Sequence, residues 1–161
     1  MQISKVVNDL TIIEYSPAYK SYFKALNIQW LEAYFTVEDL DDYVLSNPEE
    51  AILNHGGKIL FALLNGEVVG TVGIKVLDEE TCEITKMAVD PAFRGKGYGK
   101  ILCAAAIEHA KQMPCKNIIL YTSSILKNAI HIYEQLGFQH ISFEKGLYAR
   151  GDVKMIYVPE S

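Results

Sequence analysis

The sequence predicts an α+β fold: a single domain over residues 1–161, with a central mixed, mostly antiparallel sheet of about seven strands flanked by about four helices. Three observations predict it. Extended segments dominate the middle of the chain, and helical patterns flank them. Asn65-Gly66 separates two long β-rich runs, the strongest short hairpin signal because both central residues of a type I′ turn need positive φ. A β-rich run ending at Val89 passes through a glycine-rich loop straight into an apolar-striped helix.

The elements follow in order. Residues 10–15 read as a first strand, with Thr11, Ile12 and Ile13 favouring extended backbone. Ser16-Pro17 opens a helix, serine as cap and proline at the first helical position. Tyr19, Tyr22, Phe23, Leu26, Trp30 and Ala33 then recur at helical spacing. Thr36-Val37-Glu38-Asp39 resembles a capping box that starts another helix to about Leu45. Ser46-Asn47-Pro48 starts a shorter one, stopped by His55-Gly56-Gly57. Residues 58–64 and 67–77 form the hairpin, and 81–89 the fourth strand. A helix over 101–113 ends at Pro114, and 117–123 is a fifth strand. A helix over 126–136 stops at Gly137, and 138–145 and 152–158 are the last strands.

Composition narrows the function. Half the residues are hydrophobic and 22% are charged, as in a soluble globular protein. No apolar run approaches a membrane span, and no secretory signal opens the chain. A net charge of −5 argues against general nucleic-acid binding. Cys82, Cys103 and Cys115 are odd in number and form no C-x-x-C pair, so no disulfide framework is expected and the cytoplasm is the default compartment. Four scattered histidines suggest no metal site. The acids Glu38, Asp39, Asp41 and Asp42 attract either a substrate amine or, the better reading, a helix dipole.

The chemistry concentrates at Asp90-Pro91-Ala92-Phe93-Arg94-Gly95-Lys96-Gly97-Tyr98-Gly99-Lys100. A helix start presents backbone N–H groups without intrahelical partners. Glycines let a ligand approach the backbone, and cations stand beside it. This is an anion cradle suited to phosphate or pyrophosphate. A P-loop is disfavoured, since Gly99-Lys100 is followed by Ile101. The dinucleotide fingerprint fails too, because the spacing is G-x-G-x-G late in the chain.

The pattern Arg94-x-x-Gly97-x-Gly99, placed after Glu83 to Pro91, resembles the acetyl-CoA pyrophosphate loop of the GNAT superfamily of N-acetyltransferases. Asn128-Ala129-Ile130-His131-Ile132-Tyr133-Glu134-Gln135-Leu136-Gly137-Phe138 resembles that superfamily's second signature. The resemblance covers about half the chain, 82–138. It implies splayed fourth and fifth strands with acetyl-CoA entering the V between them. It implies that Met87, Ala88 and Val89 offer backbone groups to the pantetheine arm, and that amides of Arg94, Gly95, Lys96, Gly97, Tyr98, Gly99 and Lys100 bind the pyrophosphate. It places Asn128 on the cofactor arm and Tyr133 near the sulfur. It requires no metal, and it admits a homodimer.

Acyl transfer to an amine needs a base for the amine, donors for the developing oxyanion and a proton for the leaving thiolate. Glu83 is the candidate base, directly or through water; a strand-surface glutamate facing a lysine is an equal alternative. A free strand N–H over 87–89 is the candidate oxyanion donor. Tyr133 is the candidate acid, ahead of a purely packing role. Cys82 and Cys103 lack a nearby base, so direct transfer is preferred to an acyl-enzyme. Trp30, Glu32, Tyr34 and Phe35, with Tyr148 and Arg150, are the candidate acceptor residues. Arg150 either holds a substrate carboxylate or, the better reading, pairs with Asp152 or another acid. The expectation is an acetyl-CoA-dependent N-acetyltransferase acting on a small-molecule or peptide amine. The alternatives are a protein N-terminal or lysine acetyltransferase, and a non-catalytic CoA-binding sensor or interaction module.

Overall fold

The computed structural model describes residues 5–7, 10–142 and 149–159. Among these, eight strands form one sheet in the order β1-β2-β3-β4-β5-β6-β8-β7. The strands are β1 (Lys5–Val7), β2 (Leu10–Glu14), β3 (Lys58–Leu64), β4 (Glu67–Val76), β5 (Thr81–Val89), β6 (Asn117–Thr122), β7 (Phe138–Ile141) and β8 (Val153–Tyr157). The helices are α1 (Lys20–Tyr34), α2 (Asp39–Ser46), α3 (Pro48–Ala51), α4 (Tyr98–Lys111) and α5 (Lys127–Leu136). The expected seven strands are thus present with one addition, the three-residue β1, too short to leave a period in the sequence. Residues 143–145 of the expected sixth-segment strand and Tyr148 lie outside the described residues. Among the described residues no helix is long and apolar enough to cross a membrane.

The hairpin forms as its turn dictates: Asn65 and Gly66 take φ of 51° and 84°. The capping box is real but sits two residues late. Glu38 caps α2 and Asp41 returns the bond, whereas Thr36 takes no part. The α4 helix begins at Tyr98 rather than residue 101, so Gly99 and Lys100 belong to its first turn.

Two apolar layers clamp the sheet. On one face Leu10, Leu60, Val69 and Ile84 pack against Leu102, Ala106 and Ala110 of α4. On the other, Ile13, Phe61 and Val68 pack against Phe23, Leu26 and Leu31 of α1 and Val44 and Leu45 of α2. Burying such side chains contributes about 1.5–3 kcal/mol each.

The feature that creates a site is the β5–β6 pair, which is the parallel one. It holds only over Thr81↔Asn117, Cys82↔Ile118 and Glu83↔Ile119. Beyond Ile119, β6 continues paired only with β8, on its other edge. The two strands therefore diverge toward their C-terminal ends and leave one edge of β5 open from Ile84 onward. The same register brings Cys82 close to Cys115, and the two are joined by a disulfide. This pairs two of the three cysteines, where no disulfide framework was expected. The 33-residue separation gave no sign of it, because the parallel pairing makes the contact.

Candidate active site

The divergence opens a cavity of about 340 Å³. Its lining takes Trp30, Leu31 and Phe35 from the α1 side of the sheet and Leu126, Ala129 and Tyr133 from the α5 side. Side chains from opposite faces can meet only where the sheet is split. Glu83 sits at the last paired position of β5, lines the cavity and is only 9% exposed. Burial raises its carboxyl above the ordinary value, opposed by Lys75 and Lys86. Lys75 stands directly across the β4–β5 ladder from it, so the facing-lysine alternative also describes part of its setting.

Next along β5 the ladder is irregular. The register runs Gly73↔Thr85 and then Thr71↔Ala88, so Lys86 and Met87 together oppose one residue of β4. Lys86 adopts φ of 56°, left-handed backbone that a non-glycine residue rarely takes. A bulge of this kind interrupts the ladder and bends the strand. Both bulge residues line the cavity.

The Lys86 side chain is held down by Asp41, which is fully buried: Lys86 Nζ lies 2.6 Å from Asp41 Oδ1. Arg150 grips the same carboxylate with two bonds, Nη2 to Oδ1 at 2.7 Å and Nη1 to Oδ2 at 2.9 Å. Arg150 Nη1 also reaches Glu38 Oε2 at 3.1 Å. Burial alone pushes the Asp41 carboxyl up, but the bonds from Arg150, Lys86 and the Glu38 amide outweigh it and hold it below the carboxylate range. Arg150 therefore pairs with acids of α2. Asp152 instead accepts from the Ser124 amide and hydroxyl, at 2.7 Å and 2.6 Å. The dipole reading of the acidic run is thus incomplete, since Asp41 points inward as the hub of an ion cluster.

Tyr133 packs edge-on against Phe138, ring centroids 6.0 Å apart, and also lines the cavity. Burial pushes its hydroxyl above the usual phenol range. Cys103 is buried and its thiol is pushed up to about 12, which makes it inert.

The glycine-rich loop lies beyond the C-terminal end of β5, at the mouth of the split. Among the described residues, none supplies an acceptor of ordinary geometry to the amides of Gly95, Lys96, Gly97, Tyr98, Gly99 or Lys100. Gly95 and Gly97 take φ of 80° and 81°, and Gly97 caps α4. A Cβ on Gly99 would meet nothing nearer than Val89 Cγ2 at 4.0 Å, so the approach is open. Arg94, Lys96 and Lys100 are exposed and form no ion pair with a described acid. Arg94 rests on Tyr34, its Nη1 donating to the Tyr34 hydroxyl at 3.3 Å.

A sequence model described as Acetyltransferase (GNAT) family matches residues 22–138. The chain belongs to the GNAT acetyltransferase family. The uncharacterized N-acetyltransferase YjgM of Escherichia coli (strain K12) is 43% identical over 93 residues, 56% of each chain. Human N-acetylaspartate synthetase is 34% identical over 104 residues, 64% of this chain and 32% of that one. The matches thus span about half and about a third of those relatives' own lengths. A GNAT-family acetyltransferase of Staphylococcus aureus Mu50 shares the fold with a TM-score of 0.80 and 27% identity, over 92% of this chain and 98% of that one. YncA of Salmonella typhimurium, solved with its cofactor acetyl-CoA, matches with a TM-score of 0.73 and 21% identity over 92% of each chain. In this GNAT protein, Glu83, Met87, Tyr133, Trp30 and Arg150 converge on one cavity.

Other candidates fall elsewhere. Glu32 faces a separate outer hollow beside Gln29, Glu67 and Asp90. Tyr34 belongs to the loop's surroundings through Arg94. Asn128 is exposed, next to the lining residue Ala129 in the first turn of α5. Sequence reasoning did not single out Asn27, Thr85 or Lys86 as site residues, nor the pairing role of Asp41. The legible traces of that cluster were the acidic run that includes Asp41 and the expectation that Arg150 pairs with an acid. Its burial depends on Arg150, 109 residues away.

Proposed function

We propose that residues 1–161 form an acetyl-CoA-dependent N-acetyltransferase acting on a primary amine by direct transfer. One observation carries this reading: six amides and three cations, without acceptor or acid partners among the described residues, follow the end of β5, where the sheet splits over a cavity that holds Glu83 and Tyr133. The residues fit a CoA thioester. The loop amides and Arg94 bind the pyrophosphate, and the open edge of β5 over Met87, Ala88 and Val89 takes the pantetheine arm in strand-like fashion. Asn128 flanks that arm at the entrance. Bound acetyl-CoA supplies the activated acyl group.

The remaining chemistry belongs to this chain. Glu83 accepts the amine proton, directly or through one water. Its raised proton affinity makes it a better base than an exposed glutamate, whose pKa is about 4.3. A backbone N–H of β5 over 87–89, next to the irregular stretch of the ladder, is the candidate donor to negative charge on a carbonyl oxygen. Tyr133 keeps its proton at neutral pH and donates to the departing sulfur. The inert Cys103 supports transfer without an acyl-enzyme.

The test is acetyl-CoA turnover against a panel of primary amines, including aspartate because of the named synthetase relatives, small peptides and polyamines. Thiol release that depends on the amine, with an acetylated product by mass spectrometry, is the expected result. CoA binding without release across the whole panel would overturn the reading in favour of a binding module.

A further inference from the structure

We propose that the acceptor is a primary amine on an apolar, aromatic body without a carboxylate, and that Asp41 sets this selectivity by cancelling the two cations in the cavity wall. The inference rests on the transferase reading above and adds the substrate class.

The charges come first. Among the described residues, two cations line the cavity, Lys86 and Arg150. Each is already committed. Asp41 Oδ1 takes Lys86 at 2.6 Å and Arg150 at 2.7 Å, and Asp41 Oδ2 takes Arg150 again at 2.9 Å. Glu38 adds a second carboxylate to Arg150 at 3.1 Å. Among the described residues, two cations thus meet two carboxylates. Lys75 lies across the ladder from Glu83 and does not line the cavity. Glu83 itself forms no ion pair with a described residue and is nine-tenths buried. Among the described residues the wall therefore carries no surplus positive charge, and its remaining acidic side chain is the Glu83 carboxyl, beside the phenols of Tyr121 and Tyr133.

A substrate carboxylate entering this cavity would be desolvated with no uncommitted cation among the described residues to receive it, beside a like group. Burying an uncompensated charge is among the costliest events in a protein interior. An amine faces the opposite situation, because Glu83 accepts its proton or pairs with its cation. The rest of the lining decides the body of the molecule. Trp30 and Phe35 lie with ring centroids 5.7 Å apart and both face the cavity. The Arg150 guanidinium covers the Phe35 ring at 5.9 Å, which fixes that ring. Leu31, Met87, Leu120 and Leu126 complete an apolar surround. Such a site rewards an aromatic or branched apolar group and offers nothing to a second charge.

The experiment compares kcat/KM for 2-phenylethylamine, phenylalanine and phenylalanine methyl ester with the wild-type protein. The three share ring and amine. The ester keeps the bulk of the carboxyl substituent without its charge. The amine and the ester are expected to exceed phenylalanine by about 100-fold or more, the scale of an unpaired buried carboxylate. Phenylalanine used as well as the ester would overturn the inference. Turnover of aspartate or polyamines but none of the aryl amines would also overturn it, and would leave the transferase reading intact. CoA binding with no amine acetylated at all would overturn both. Asp41→Asn should narrow the ester-to-phenylalanine ratio at least about tenfold by freeing positive charge, a change near 1.4 kcal/mol. If that variant does not fold, Glu38→Gln, at the partly exposed edge of the cluster, should move the ratio the same way by a smaller step. A folded variant with an unchanged ratio removes Asp41 from the selectivity.

Discussion

Two sets of cations stand along and just beyond β5, in opposite electrostatic settings. Arg94, Lys96 and Lys100, just past the end of β5, are exposed and have no acid partner among the described residues. Lys86 and Arg150, beside the middle of β5, are largely withdrawn from solvent and share Asp41. A buried charge must be paired, whereas a surface charge tolerates solvent as its partner. The loop cations therefore remain available to an incoming anion, and the inner ones do not. This divides recognition in two. In the function proposed above, phosphate is read by the open loop amides and the exposed loop cations, and the interior is left for amine chemistry.

Removing the inner acid should be the more damaging of two matched changes. Asp41→Ala leaves Lys86 and Arg150 buried without their shared partner, and stability should fall by about 3–5 kcal/mol. Denaturant unfolding measures it, and a loss below about 1 kcal/mol would show that the cluster is solvated. Arg94→Ala should leave stability unchanged and weaken CoA binding by about 1.5–3 kcal/mol, the value of a charge-assisted contact. Equal CoA affinity in the variant would place Arg94 with Tyr34 rather than with phosphate.

Smaller effects sharpen the interior half. Tyr133→Phe keeps the packing on Phe138, so stability should change by less than about 1.5 kcal/mol. Turnover should fall about 10- to 100-fold with acetyl-CoA affinity constant, since a thiolate needs less acid help than an alkoxide. Normal turnover would reduce Tyr133 to packing. Glu83→Gln is read by its pH dependence. Burial raises the Glu83 carboxyl above its ordinary 4.5. The folded protein then holds this proton to higher pH than the unfolded chain does. Stability drops as pH climbs from the unfolded value through the folded one. The variant should melt with wild type near pH 4 and above it at pH 8. Its turnover loss should be largest at neutral pH and shrink as the free amine supplies itself. A pH-independent difference in both would give Glu83 a structural role.

The sequence made the loop legible because its chemistry is local. Arg94, Gly97 and Gly99 lie within six positions, and the helix that they open follows at once. The Asn65-Gly66 turn and the Gly137 stop were legible for the same reason, each set by its own backbone. The inner site was half legible. Glu83 and Tyr133 were found through motif context, but Lys86 gave no signal, because its left-handed backbone is imposed by the bulge against β4. Asp41 looked like one acid among several in a first turn. Only the fold brings Lys86 and Arg150 to it, from 45 and 109 residues away. The Cys82–Cys115 contact was hidden in the same way by a parallel register.

The account depends most on the loop as a phosphate cradle, and calorimetric titration of CoA into folded Gly99→Glu tests it with little confounding. Gly99 sits in ordinary helical backbone facing open space, so the side chain costs the fold little. It would project a carboxylate where the pyrophosphate is expected. The account predicts clear binding to wild type and none detectable to the variant. Equal affinity in the two proteins would contradict it.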